Sequence, residues 1–185
     1  MSQLRMCYMA SYGRPEPVAL PAGFSIRSYA PGDGQAYSQL RVSAGFSAWT
    51  DEDLHQYFHK TLPDGLLFVV DDATGNLVSS AGAEHNDAFE APCNGTLGWV
   101  MTSPGYRGRG LCRALCTHVT EKLLGHGYRR LNLSTDDWRL PAIATYLRIG
   151  WRPWFYEPDM PQRWHDVLEK LNRTDIQPAL VESAC

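Results

Sequence analysis

The chain reads as one mixed α/β domain, on three observations. Short apolar runs bounded by Gly and Pro fill the first half, from Phe24 to Thr102. The pattern switches to a helical period after Gly110, where Leu111, Leu115, Val119 and Leu123 recur four apart on one stripe. A late strand–helix–strand passage, from Leu97 through Leu133, demands a parallel crossover. The expectation is a strongly twisted central sheet, antiparallel at first and parallel at the crossover, flanked by helices.

Taken in order, Met1–Gly23 shows no period and reads as an irregular arm. Phe24–Tyr29 alternates as a strand stopped by Pro31-Gly32. Asp33 caps a helix to about Val42, and Thr50 or Asp51 caps a second to His59. Leu66–Val70 is a buried strand turning at Asp71–Gly75 into Leu77–His85. Leu97–Thr102 is a strand ended by Pro104-Gly105, and the Leu111 helix closes at Gly125 and Gly127. Leu131–Ser134 alternates as a strand. Asp136 or Asp137 caps a helix that tolerates Pro141 in its first turn and ends at Gly150. Pro153 makes Trp151–Tyr156 an edge or bulged segment. Gln162–Leu171 is a last helix, and the tail beyond Asn172 holds a possible strand at Ile176–Val181. The divisions are an arm at 1–23, a domain at 24–172 and a tail at 173–185.

Bulk properties narrow the function. A chain of 185 residues with 44% hydrophobic and 20% charged residues is an ordinary globular composition. A formal net charge of −3 argues against a nucleic-acid partner. No apolar run is long enough to span a membrane, and the N-terminus lacks the charged-then-apolar pattern of a secretory signal. The five cysteines (Cys7, Cys93, Cys112, Cys116, Cys185) form no CxxC pair, which fits reduced thiols and a cytoplasmic location. His55, His59, His118 and His126 scatter over helix surfaces without an HExxH motif, so no metal is expected.

The most informative stretch is Ser103-Pro104-Gly105-Tyr106-Arg107-Gly108-Arg109-Gly110-Leu111-Cys112-Arg113. A strand enters it and a helix leaves it. The glycines clear space for close backbone approach, and three arginines add charge. The first N–H groups of the helix lack intrahelical acceptors and sit at the positive end of its dipole, so the segment suits phosphate oxygens. It has no lysine for a Walker A loop, and Arg113 occupies the last glycine of a dinucleotide fingerprint.

Arg107-Gly108-Arg109-Gly110-Leu111-Cys112 resembles the Arg-x-x-Gly-x-Gly/Ala pyrophosphate loop of the GNAT superfamily of N-acetyltransferases, with Cys in the last small position. The superfamily's second signature, an alanine-bearing helix ending Tyr-x-x-x-Gly-Phe, has its counterpart in Ala142–Trp151, with Trp for Phe. The resemblance covers about Phe24–Tyr156 and is specific from Leu97 to Trp151. It implies acetyl-CoA as acyl donor and direct transfer to an amine. Arg107, Gly108, Arg109, Gly110, Leu111, Cys112 and Arg113 would then cradle the pyrophosphate. Backbone groups of Val100, Met101 and Thr102 would meet the pantetheine arm between splayed strands, one of them facing the thioester oxygen. Arg139 stands where relatives carry an asparagine that contacts the cofactor, and Tyr146 would protonate the leaving thiolate.

The general base is less determined. Ser134 stands where ribosomal-protein alanine acetyltransferases place a glutamate, and Thr96-Leu97 where many relatives have one. That leaves Glu84 first, then His85 and Asp136, or a water relay. Phe46 and Trp49 are candidates to line an acceptor pocket, while the other tryptophans are expected mostly in the core. Thr135-Asp136-Asp137-Trp138-Arg139-Leu140-Pro141-Ala142-Ile143 resembles a bacterial small-molecule branch, some of it similar to mycothiol synthase halves. The expected partner is a small-molecule amine, with a monomer or homodimer. A protein N-terminal acetyltransferase and a non-catalytic acyl-CoA-binding module are the alternatives.

Overall fold

The structure is a computed structural model, and it describes residues 2–85 and 94–179. Seven strands form one mixed sheet: β1 Leu4–Met9, β2 Phe24–Ser28, β3 Thr61–Asp71, β4 Leu77–His85, β5 Asn94–Thr102, β6 Arg130–Thr135 and β7 Arg152–Trp154. Five helices flank it: α1 Gly34–Ser43, α2 Asp51–Phe58, α3 Leu111–Gly125, α4 Leu140–Ile149 and α5 Met160–Lys170. The strand order is β2-β3-β4-β5-β6-β1-β7, and every adjacent pair is antiparallel except β5–β6. The mixed α/β sheet expected from the sequence is the one observed.

Period-two alternation sorts the two faces. On β3, Leu67 and Val69 join a large cluster with the α3 stripe Leu111, Leu115, Val119 and Leu123. The intervening Leu66 and Phe68 join a smaller cluster under α1 and α2, with Tyr37, Leu40, Leu54 and Tyr57. Trp151 and Trp164 are fully buried in the large cluster, and the Trp151 indole N–H donates to Thr120 Oγ1 at 3.3 Å. The expectation of mostly buried tryptophans does not extend to Trp138, which is 71% exposed, or to Trp99 at 36%.

Three local expectations change. Residues 4–9 are not part of an irregular arm: β1 lies between β6 and β7, paired antiparallel with both, and buries Leu4, Met6 and Cys7 completely. LRMCYM is almost wholly apolar because both its faces and both its edges are covered, so it lacks the alternation that marks a half-exposed strand. The tail forms no strand as far as residue 179, though Ala179 N donates to Pro153 O at 2.8 Å; residues 180–181 of the expected strand lie outside the described residues. Neither Asp136 nor Asp137 caps α4. Arg139 is the cap residue, while the aspartates pair with Arg139 and Arg163. Thr50 does cap α2, in a reciprocal capping box with Asp53.

Candidate active site

The parallel β5–β6 ladder is short. Asn94, Gly95 and Thr96 pair with Arg130, Leu131 and Asn132, and the pairing then stops. Beyond it, Leu97–Thr102 stays with β4 while Leu133–Thr135 stays with β1. The two strands thus part company from Leu97 onward, as a splayed pair must if something is to lie between them. A cavity of about 300 Å³ occupies this region. Leu97, Gly98, Trp99 and Val100 line it from β5, and Asn132, Ser134 and Thr135 from β6. Ala142 and Tyr146 close it from α4, Glu84 from β4, and Phe46, Asp136, Arg139 and Gln3 from the remaining sides.

β5 is irregular where it matters. Ser80 pairs with Met101 and Gly82 with Gly98, so Trp99 and Val100 together oppose the single residue Ala81. This is a β-bulge, which re-aims side chains. Trp99 adopts φ +48°, a conformation rare for a bulky residue and costing on the order of 1–3 kcal/mol. The bulge brings Trp99 and Val100 to the cavity while Met101 is buried against the α1–α2 layer.

Glu84 sits in a slot built by two glycines. A Cβ placed on Gly98 would come 1.7 Å from Glu84 Oε1, and one on Gly82 would come 1.8 Å from the Tyr57 hydroxyl oxygen. Into this space the Tyr57 hydroxyl donates to Glu84 Oε1 at 3.0 Å. Burial pushes the Glu84 carboxyl up to about 7, against the Tyr57 hydrogen bond and the Lys60 charge, which pull it down. Asp136, in the same cavity, behaves oppositely. Burial pushes it up, but Arg139 (2.8 Å) and Gln3 (3.1 Å) bond to it and hold it below the usual carboxylate range. His85 is exposed and meets Tyr128 outside the cavity lining. Of the three candidate bases, only Glu84 lines the cavity with a proton affinity near neutrality.

Tyr146 is 5% exposed. Burial, helped by the nearby Cys116 and Cys112 thiols, holds its phenol well above the ordinary range, with Arg139 opposing. It therefore stays protonated at any physiological pH. Cys112 and Cys116 lie one turn apart on α3 with their sulfurs 3.9 Å apart. The contact with Cys112, then burial, keeps the Cys116 thiol protonated.

The glycine-rich segment leaves β5 through a single 3₁₀ turn, Pro104–Tyr106, anchored where the Tyr106 hydroxyl donates to Asp71 Oδ2 at 2.8 Å. Gly108 (φ +76°) and Gly110 (φ +81°) adopt left-handed backbone, and a Cβ on either would meet nothing within 4 Å. The loop is open to a ligand. Arg107, Arg109 and Arg113 are exposed around it, and α3 begins at Leu111, leaving its first N–H groups without intrahelical acceptors. Arg107 Nε bonds Thr102 O at 3.2 Å and Arg109 Nη2 bonds Gly105 O at 3.1 Å, which orders the loop. The chemistry of this open, positively charged loop at a helix start suits an anionic pyrophosphate. Arg139 lies apart from the loop, against Asp136, Phe46 and Trp138.

Residues 35–151 match the family model described as the acetyltransferase (GNAT) family. The chain belongs to that family. Its relatives include mycothiol acetyltransferases from Actinosynnema mirum, 27% identical over 77% of this chain and 49% of that protein, and from Beutenbergia cavernae, 29% identical over 72% and 47%. The chain spans about half the length of these relatives. Solved structures with the same GNAT fold include a GCN5-related N-acetyltransferase from Sphaerobacter thermophilus. It has a TM-score of 0.67 and 24% identity, over 83% of this chain and 49% of that one. The ribosomal-protein-S18-alanine N-acetyltransferase from Escherichia coli has a TM-score of 0.55 and 21% identity, over 69% and 76%.

Gln3, Trp99 and the Gly82–Gly98 slot had no signature in the sequence. Gln3 reaches the cavity only because β1 pairs with β6, and the slot depends on two strands and α2 meeting. A Gly-x-Glu with another glycine fourteen residues beyond the Glu carries no local meaning.

Proposed function

We propose that this chain is an acetyl-CoA-dependent N-acetyltransferase acting on the primary amine of a small molecule. The supporting observation is one cavity in which the β5–β6 splay, a half-buried carboxyl raised to about 7 and a buried tyrosine meet, on the strand that leads into the glycine-rich loop. Acetyl-CoA is the donor used by the family. Its pyrophosphate would rest on the N–H groups of Leu111–Arg113 and on the arginines, and its pantetheine arm in the splay along Val100, Met101 and Thr102.

Chemistry then follows from the two side chains. An acceptor arriving as an ammonium ion loses a proton to the Glu84 carboxylate, directly or through water. Glu84 passes that proton to solvent, the freed nitrogen attacks the thioester carbonyl, and a β5 backbone N–H stabilises the oxyanion. The second proton of the now cationic nitrogen leaves by the same carboxylate as the intermediate collapses to the amide. As the C–S bond breaks, Tyr146 would donate toward the sulfur while negative charge develops. A thiol, with a reference pKa of about 8.5, is a stronger acid than the phenol, so full transfer runs uphill and the phenol holds its proton again once CoA leaves as thiolate. Likeness to mycothiol acetyltransferases favours a small acceptor over a protein one. Ser134, exposed at the cavity, leaves the alanine-acetyltransferase glutamate without an equivalent.

The test is a thiol-release screen with acetyl-CoA over amines, amino acids, aminoglycosides and peptides. Release with a small amine supports the proposal. CoA binding with no release for any acceptor would reassign the chain as a non-catalytic acyl-CoA-binding module, and preference for peptides would reassign it as a protein acetyltransferase.

A further inference from the structure

The acceptor side of the cavity has a wall and a floor of different chemistry. Phe46, from the α1–α2 connection, and Trp99, from the bulge, form the wall, with their rings 6.1 Å apart and edge-on. Behind the wall lies Arg41, only 1% exposed. Its guanidinium stacks 3.8 Å from the Trp49 ring and 4.3 Å from the Trp99 ring, and its Nε donates to Ser47 O at 3.1 Å. No ion pair to Arg41 exists among the described residues.

A buried cation without a counter-charge costs free energy, and here the aromatic faces offset part of it. Two consequences follow. The arginine fixes Trp49, Trp99 and the connection carrying Phe46 in one arrangement. It also lies over the Trp99 ring, so a second cation stacked on that indole would be repelled by a like charge already there. Phe46 also has Arg41 5.8 Å from its ring, and Arg139, which lines the cavity itself, 5.2 Å from it. Among the carboxylates lining the cavity, Asp136 is already neutralised by Arg139, which leaves Glu84 alone to take one ammonium group.

Resting on the acetyltransferase reading of this site, we infer that the acceptor is a monoamine carried on a flat, uncharged aromatic or heteroaromatic body. Its amine reaches Glu84 and its ring packs on Trp99 and Phe46. Polyamines and aminoglycosides are excluded, because their extra ammonium groups find no second free carboxylate and face a wall backed by arginines. Arg41 acts as a positioning residue for that wall.

The experiment compares 2-phenylethylamine and tryptamine with propylamine, glucosamine and spermidine, using acetyl-CoA and the full chain. Calorimetric binding of 2-phenylethylamine and propylamine to the CoA-saturated protein accompanies it. The expected result is a kcat/KM for 2-phenylethylamine roughly 10- to 100-fold above propylamine, the range that burying and stacking one ring supplies. Trp99→Ala should bring that ratio near one in a protein that still binds CoA. Arg41→Met should shrink it mainly through a raised KM for the aromatic amine. Glucosamine or spermidine outrunning the aromatic amines, or a wild-type ratio near one, overturns the inference. If no amine is turned over, the acetyltransfer reading fails, and the inference is decided by binding alone. It stands if 2-phenylethylamine binds at least about 10-fold tighter than propylamine and falls if it does not.

Discussion

Glu84 and Tyr146 line one cavity with different proton affinities, and both owe them to burial. Tyr146→Phe keeps the ring and its packing but removes the donor. It should lower kcat by about 10²- to 10⁴-fold, lower kcat/KM equally, and leave CoA affinity and Tm nearly unchanged. Steady-state kinetics with thermal melting checks this, and wild-type turnover in the folded variant would remove Tyr146 from the mechanism. As the proposed base, Glu84 would act only when ionised, so kcat/KM should climb with pH through an acid limb near 7, and Glu84→Gln should abolish that limb. The same shift bears on stability. A carboxyl whose pKa is higher folded than unfolded favours folding most below its unfolded value. That contribution is lost as pH rises from about 4.5 through about 7. Glu84→Gln should therefore raise Tm at pH 8 and change it little at pH 4. Gly98→Ala reports on the slot: its methyl would collide with the Glu84 carboxyl and should cost activity far more than it costs CoA binding.

At the scale of elements, the loop and first turn of α3 were legible because the features that suit a phosphate are local: three glycines, three arginines and a helix start within eleven residues. Gly110→Asp puts a carboxylate into the open loop, where its Cβ meets nothing within 4 Å, and should eliminate the thermal response to CoA; the positive φ lowers the apo Tm modestly, so the response is read against the variant's own apo Tm. Normal CoA affinity in that variant would mean that the phosphates lie elsewhere. Strand β1 was not legible, because its sequence is apolar without a period and its partners are about 125 to 150 residues away. An arm could be removed at little cost. Deleting residues 2–9 should instead give an insoluble or unfolded protein, because it uncovers the edges of β6 and β7 and removes buried Leu4, Met6 and Tyr8, each worth about 1.5–3 kcal/mol.

For the whole molecule, a ligand that binds only the folded state stabilises it by RT ln(1 + [L]/Kd), about 2.7 kcal/mol at 100-fold excess over Kd. In a domain of this size each kcal/mol moves Tm by roughly 2–4 °C. Saturating acetyl-CoA should therefore raise Tm by about 5–11 °C, and added salt should weaken the response because three exposed arginines carry much of the phosphate attraction. A response to NAD or ATP without one to CoA would overturn the assignment.

The sequence alone determined what is written in consecutive residues: the mixed α/β class, the α3 stripe, the glycine-rich loop, and Tyr146 at its place on α4. These depend on backbone propensity, helical or strand period and close-range geometry, which neighbouring residues specify. The tertiary structure alone decided the rest. It placed β1 inside the sheet, bringing Gln3 to the cavity, and gave Trp99 its bulge. It also set Glu84 in a slot that exists only where two glycines on adjacent strands lie under Tyr57. Asp136 and Glu84 are the same kind of group in the sequence, yet one is held ionised by an arginine and the other is driven toward neutrality by burial. Proton affinity is set by the dielectric and charges around a group, and those come from residues that only folding brings together.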